Sequence, residues 1–267
     1  MSDPGSPLPP PPAPPDLARL APGWSPSLAN TSDGVTTWRL ESPDGAVRFA
    51  KVDTSGRYPT LDAESERMIW AAAYLAVPRV VALERRDGAT ILLTDALPGR
   101  DGTDPSWRGD LPGHVRTLGR GLRTFHDAVG EEWCPFRFDV ARALDHVARR
   151  VGSGHVAPSD LHPEHAHHTA ASALAELEAT APASEDLVVC HGDYCAPNVL
   201  RNGDKVTGYV DLGELGAADR WWDVAVGAWS VCWNFGDQYE PLFYESYGID
   251  PDPARIRFYR LLYDLAC

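Results

Sequence analysis

The chain has 267 residues, 43% of them hydrophobic, and nine are Trp. At about 150 residues per domain this allows one or two domains, and that apolar content excludes wholesale disorder. The net charge of −14, from 38 acidic and 24 basic residues, argues against nonspecific binding to nucleic acid or anionic lipid. No long apolar run is present, so no membrane span is expected, and the first residues lack the basic and apolar regions of a secretory signal. Cys134, Cys190, Cys195, Cys232 and Cys267 are scattered without a CxxC pair, the pattern of a reduced, cytoplasmic chain.

Eight of the first fifteen residues are Pro, which lacks an N–H and fixes φ, so residues 1–20 are expected to form a disordered or polyproline-like tail. Residues 24–95 read as β-rich with one helix. Strands are expected over 35–40 and 46–52 around the turn Ser42-Pro43-Asp44-Gly45, and over 79–84 and 90–94 around Arg86-Asp87-Gly88. Between them, 61–74 is rich in helix formers and is followed by Pro78.

Past Leu97-Pro98-Gly99 the pattern turns helical. Val115, Leu118, Leu122 and Phe125 fall at helical spacing, as do Val140, Leu144, Val147 and Val151, and 170–180 is a third helical stretch. A short apolar strand, 187–190, runs into HGDYCAPN. A hairpin follows, 199–200 and 206–211, and helices resume over 219–233, 238–247 and 253–265. The expected architecture is α+β: a small β-rich lobe over 21–96 and a larger helical lobe over 97–267.

The chain contains no GxxxxGK[ST], no GxGxxG between strand and helix, no GxSxG and no HExxH. That argues against P-loop, dinucleotide, α/β-hydrolase and zincin readings. The informative stretch is LVVCHGDYCAPNVLRNGDKVTGYVDLG, residues 187–213. It sets Asp193 and Asn198 on one loop and Asp211 at the end of a later strand. A kinase-type site needs this set: a carboxylate to orient and deprotonate an attacking hydroxyl, and an amide oxygen with a second carboxylate to hold Mg²⁺ at the phosphates of ATP. Upstream, Lys51 lies in a strand and Glu64 in the following helix, a pairing that can reach the α- and β-phosphates. Each residue alone is weak evidence; the ordered set is far more specific.

On these motifs the chain resembles the aminoglycoside phosphotransferase family, with its bilobal protein-kinase-like fold. The closest likeness is to 3′-phosphotransferases of kanamycin-type antibiotics and their streptomycin-phosphorylating relatives. It spans residues 24–265 and is strongest in VVCHGDYCAPNVL, KVTGYVDLGELGAADRWWDVAV and IRFYRLLYDL. The resemblance implies Asp193 as the catalytic carboxylate, Asn198 and Asp211 as Mg²⁺ ligands, and Lys51 with Glu64 as the phosphate pair. It implies Phe49 stacking on adenine, Thr94 and Ala96 meeting the adenine edge through backbone groups, His191 as a structural loop residue and Asp223 as a brace of the catalytic loop. It makes 21–96 the nucleotide-binding lobe and 97–267 the catalytic and acceptor-binding lobe. The expected partner is a small antibiotic acceptor, with no nucleic acid, membrane or obligate protein partner.

The departures lie on the phosphate and acceptor sides. The loop expected over the phosphates reads Ala29-Asn30-Thr31-Ser32-Asp33-Gly34, where Ser32 is the residue suited to phosphate and Asp33 is expected to point outward. The family's Gly-Arg becomes Gly213-Glu214, and its acidic pair with a terminal aromatic becomes Tyr263-Asp264-Leu265-Ala266-Cys267. Asp160, Glu164, Glu214 and Asp264 are the acids available to an amine-rich substrate. His162, His165, His167 and His168 lack a closed tetrahedral ligand pattern and read as a solvated polar loop. The Trp-rich patch of Trp221, Trp222, Trp229, Trp233 and Phe235 reads as helical core, with one or two members suited to an acceptor pocket. The first reading is an ATP-dependent antibiotic kinase acting on an aminoglycoside; the alternatives are a kinase of another hydroxylated antibiotic, such as a nucleoside type, and a ligand-binding pseudokinase.

Overall fold

The computed structural model describes residues 12–32, 34–157 and 161–266. The chain divides into two compact units: one runs up to Ile69 and takes in Pro78–Ala96, the other comprises Trp70–Val77 and everything from Leu97 onward.

The first unit contains α1 (Pro15–Leu20), β1 (Ser25–Ser32), β2 (Val35–Glu41), β3 (Val47–Asp53), all but the last two residues of α2 (Leu61–Ala71), β4 (Val80–Arg86) and β5 (Ala89–Asp95). The strands form one antiparallel sheet in the order β1-β2-β3-β5-β4. Alternate residues share a sheet face. Trp38 and Leu40, Ala50 and Val52, and Ile91 and Leu93 therefore form one buried face, with Trp38, Ala50 and Leu93 in register across β2, β3 and β5.

Two expectations change here. Residues 15–20 are helical rather than tail: Pro15 starts α1, where a missing N–H costs nothing, and Leu17 and Ala21 are buried against the sheet. Residues 1–11 lie outside the described residues. Residues 29–32 belong to β1 rather than to a loop, with Ser32 paired to Val35, because strand pairing extends to the end of an exposed edge strand that carries no apolar alternation.

The second unit contains β6 (Arg100–Asp101), α3 (Leu111–His126), α4 (Val140–Gly152), α5 (Ala170–Thr180), β7 (Leu187–Cys190), β8 (Val199–Asn202), β9 (Lys205–Tyr209), β10 (Gly216–Asp219), α6 (Trp221–Phe235), α7 (Glu240–Tyr247) and α8 (Pro253–Ala266). β7 pairs antiparallel with β10, and β6-β8-β9 form a second small sheet. Helix starts are capped: Asp110 accepts from the Gly113 amide, Asp139 from the Arg142 amide, and Thr169 forms a capping box with Ser172. Gly119 lets α3 approach α7, since a Cβ there would meet the Phe243 carbonyl oxygen at 2.8 Å. Among the described residues no helix is long and apolar enough to cross a membrane.

Two stability tests follow from these cores. Leu17 is 2% exposed, so Leu17→Ala should lower the unfolding free energy by about 2–5 kcal/mol. A loss below about 0.5 kcal/mol in urea unfolding would detach α1 from the fold. In the second unit, His114 is buried; its Nδ1 accepts from Arg201 and its Nε2–H donates to the Gly102 carbonyl at 2.7 Å. Burial, with the Arg201 charge alongside, pushes His114 down from the ordinary 6.5 to about 4. A depressed histidine contributes stability that is fully present above the unfolded value and lost as pH falls through the folded one. Stability should therefore fall between pH 6.5 and 4, with a slope approaching about 1.4 kcal/mol per pH unit from this group. His114→Gln should lack that part of the slope; identical pH dependence in the two proteins would refute it.

Candidate active site

In the first unit, Lys51 on β3 donates to Glu64 Oε1 on α2 at 2.6 Å. Glu64 is buried and Lys51 half-buried, so the ion pair sits where solvent screens it weakly. Phe49 precedes Lys51 by two residues and shares its sheet face, opposite the Trp38 row. Thr94 lies in register with Phe49 and its hydroxyl donates to the Phe49 carbonyl at 3.4 Å. The Ala96 amide donates to the Val47 carbonyl at 3.1 Å. That N–H is thus engaged within the sheet. Ser32 is exposed at the end of β1, and Asp33 lies outside the described residues.

In the second unit, β7 delivers His191-Gly192-Asp193. A buried carboxylate holds this turn: Asp223 Oδ2 accepts from the His191 amide at 2.6 Å and Oδ1 from the Gly192 amide at 2.9 Å. The same Oδ2 accepts from His126 Nε2 at 3.0 Å. The donors run in one direction: Arg220 donates to the Tyr247 hydroxyl, Tyr247 to His126 Nδ1, and His126 to Asp223. Gly192 has φ +90°, and a Cβ there would meet Glu214 Cβ at 2.5 Å. Only glycine therefore lets the loop press against the segment that follows Asp211.

Asp193 is held at both carboxylate oxygens. Asn198 Nδ2 donates to Oδ2 at 2.7 Å and to the Asp193 main-chain carbonyl at 3.0 Å. The Tyr263 hydroxyl donates to Oδ1 at 2.8 Å. Asn198 spends its amide nitrogen on Asp193, so its side-chain oxygen is the end available to another partner. The Val210 amide donates to the Asn198 carbonyl at 3.0 Å, and the next residue, Asp211, is exposed with φ +60°. The strand ends at Tyr209, so Asp211 sits beyond it rather than on it. His191 is fully buried beside Phe125, Tyr194 and Tyr209; its Nδ1 accepts from the Asp193 amide at 3.3 Å, the arrangement of a loop brace.

The acids expected on the acceptor side divide. Asp264 Oδ2 accepts from the His162 amide at 2.9 Å and pairs with His165 Nδ1 at 2.5 Å. It is an internal tie, in contrast to a carboxylate awaiting a substrate. Glu164 is exposed, Glu214 is half-buried, and Asp160 lies outside the described residues. The His-rich segment is only partly solvated: His167 is exposed, but His162 packs on Trp229 at 4.4 Å and on Trp233 at 5.5 Å. Trp221, Trp222 and Trp229 are buried, whereas Trp233 is 43% exposed. The Tyr263 contact and the His126–Tyr247–Arg220 relay escaped the sequence reading. Tyr263–Asp193, His126–Asp223, His126–Tyr247 and Arg220–Tyr247 span 70, 97, 121 and 27 residues, and no local spacing signals them.

The phosphotransferase enzyme family matches residues 32–259. The chain belongs to that family. It is similar to an aminoglycoside 3'-phosphotransferase of Niallia circulans, 34% identical over 228 residues that cover 85% of this chain and 86% of the relative. The solved aminoglycoside-3'-phosphotransferase of type VIII has a TM-score of 0.84 at 33% identity, covering 94% of this chain and 96% of that one. A Streptomyces rimosus aminoglycoside phosphotransferase, solved in complex with ADP and streptomycin, has a TM-score of 0.74 at 27% identity, with coverage of 94% and 96%. The α+β, protein-kinase-like fold expected from the motifs is thus the fold of this phosphotransferase, and its reaction is phosphoryl transfer to an alcohol group.

The Asp223 brace can be tested directly. Asp223→Ala leaves two loop amides and His126 without an acceptor in a fully buried position. It should cost about 3–5 kcal/mol. Asp223→Asn, which keeps one acceptor oxygen, should lose less. Equal, small losses in thermal melts of both variants would show that the loop is held by other means.

Proposed function

We propose that the protein transfers the γ-phosphoryl group of ATP to a hydroxyl of an antibiotic, with an aminoglycoside as the first acceptor class. The observation that carries this reading is the Asp193 carboxylate, fixed by Asn198 at 2.7 Å on a loop braced by Asp223. Asp193 is the group that orients the acceptor hydroxyl and draws off its proton. Lys51, aimed by Glu64, neutralises phosphate charge, with Phe49, Thr94 and Ser32 on the nucleotide side. Such catalysis is positioning and electrostatics, with little covalent work for the protein. The relatives support the choice of nucleotide and acceptor, since one was solved with ADP and streptomycin bound.

The donor set suits Mg²⁺: the Asn198 side-chain oxygen turned away from Asp193 and the exposed Asp211 carboxylate are hard oxygen donors. When bound, the ion supplies charge neutralisation at the phosphates. A small-molecule acceptor in the cytoplasm completes the proposal.

One observation favours a narrower acceptor range within this reading. Asp264 is already engaged by His165 and the His162 amide, and Tyr263 stands where an acid was expected. Fewer carboxylates remain for ammonium groups, which favours a less cationic hydroxylated antibiotic over kanamycin-like polyamines.

The test is ATP turnover with Mg²⁺ across kanamycin-type, streptomycin-type and nucleoside antibiotics. Transfer to at least one is expected, and Asp193→Ala should lower it by about 10²–10⁴-fold while ATP affinity changes little. Transfer to none would sink the proposal. Asp193→Ala activity within about tenfold of wild type would remove Asp193 from its role. Efficient use of several kanamycin-type compounds, with acceptor affinity falling steeply with salt, would restore the broad aminoglycoside range.

A further inference from the structure

We propose that the Tyr263 hydroxyl is a positioning group for the Asp193 carboxylate, holding it from the side opposite Asn198. The inference rests on the assignment of Asp193 as the acceptor-orienting group. The torsion that turns an Asp carboxylate about Cβ–Cγ is broad and roughly two-fold, so a single donor leaves the plane loosely defined. Here each oxygen has its own donor. Asn198, five residues along the same loop, takes Oδ2, and Tyr263, 70 residues away on α8, takes Oδ1 at 2.8 Å. Donors from two separate elements remove the rotation that either alone would allow. A carboxylate accepts about four hydrogen bonds, so with Asn198, Tyr263 and the Cys195 thiol against it a direction remains for an acceptor hydroxyl.

The element that carries Tyr263 is itself anchored. Leu262 and Leu265 are fully buried on either side of it, and the adjacent Asp264 is tied to the His162 amide and to His165. A side chain on a pinned helix end holds its partner more closely than one on a loop. The Cys195 sulfur lies 3.7 Å from the Tyr263 hydroxyl, and burial followed by the Asp193 charge pushes that thiol well up, so it stays protonated. The hydroxyl thus faces a carboxylate oxygen as its strong acceptor, beside a neutral thiol.

This arrangement gives the departure at the chain end a chemical meaning. An acid at position 263 would set a second negative charge against Asp193, whereas a phenol supplies a neutral donor. A carboxylate fixed by neutral donors keeps its charge for the incoming hydroxyl. Displacing it by about 1 Å can cost on the order of 10²-fold in rate.

Tyr263→Phe removes the hydroxyl and keeps the ring. We expect kcat to fall by about tenfold, with KM for ATP and for the acceptor within about twofold, since the interaction serves orientation rather than binding. Thermal melting should change by no more than a few degrees. The deciding measurement is a double-mutant cycle: in the Asp193→Ala background, Tyr263→Phe should leave the residual rate unchanged, because the group it positions is gone. Three results would overturn the inference. One is an unchanged kcat in Tyr263→Phe. Another is a lower acceptor KM at unchanged kcat, which would make the hydroxyl a competitor of the acceptor. The third is a rate loss of equal size with and without Asp193, which would make Tyr263 a packing residue. Wild-type transfer and its loss in Asp193→Ala check the underlying assignment separately, so failure of the cycle alone tells against Tyr263 only.

Discussion

The HGD turn depends on one buried carboxylate. Asp223 is fully enclosed, and a charge in that position is tolerable only when donors surround it. It has three: the amides of His191 and Gly192, and the ring of His126. Two of these are main-chain donors at the end of β7, which would otherwise be orphaned where the strand pairing with β10 stops. A single side chain therefore closes the strand, aims the turn and fixes the start of the segment that carries Asp193 and Asn198. The relay through Tyr247 to Arg220 extends the hold to α7 and to the start of α6, so the turn is tied to three helices at once.

Close approach does the next part of the work. Gly192 at φ +90° allows its backbone to press on Glu214, and the Val210 amide reaches the Asn198 carbonyl. Through these two contacts the loop after β7 and the loop after β9 become one assembly. Asp193, Asn198 and Asp211 are brought into it by main-chain geometry, with the side chains left to meet their partners. Ser230 adds a further tie, accepting from the Ala196 amide and so joining α6 to the same loop.

The parts of this arrangement legible in the sequence are those written locally. The Lys51–Glu64 pair follows from a strand, a thirteen-residue separation and a helix, and the two side chains meet as that spacing implies. HGD-x4-N is legible because its geometry closes within one loop. β1 was not, because all eight of its residues are exposed and none alternates. β10, GAAD, escaped for the opposite reason: it is wholly buried but too short and too small in its side chains to carry a strand signal. Asp264 read as an acid for substrate because its partner, His165, is 99 residues away. The His-rich segment read as solvated because nothing local announces Trp229 and Trp233 as its bed.

The two units each hold a charged side chain still, by different physics. In the first, a cation is aimed by an anion. In the Lys51–Glu64 pair the Glu64 side chain is 8% and the Lys51 side chain 23% exposed, so the attraction is weakly screened. An opposite charge is the natural partner for an ammonium, which has hydrogens to give and no acceptor. In the second unit the held group is itself an anion, the Asp193 carboxylate, and both of its side-chain donors in that contact are neutral. An amide and a phenol satisfy the Asp193 oxygens directionally while leaving the carboxylate's net charge intact. Two arginines of this unit are engaged by other groups: Arg220 by Tyr247 and Asp186, and Arg260 by Glu240. The Asp193 carboxylate is thus held by dipoles in direct contact, the Asn198 amide and the Tyr263 hydroxyl.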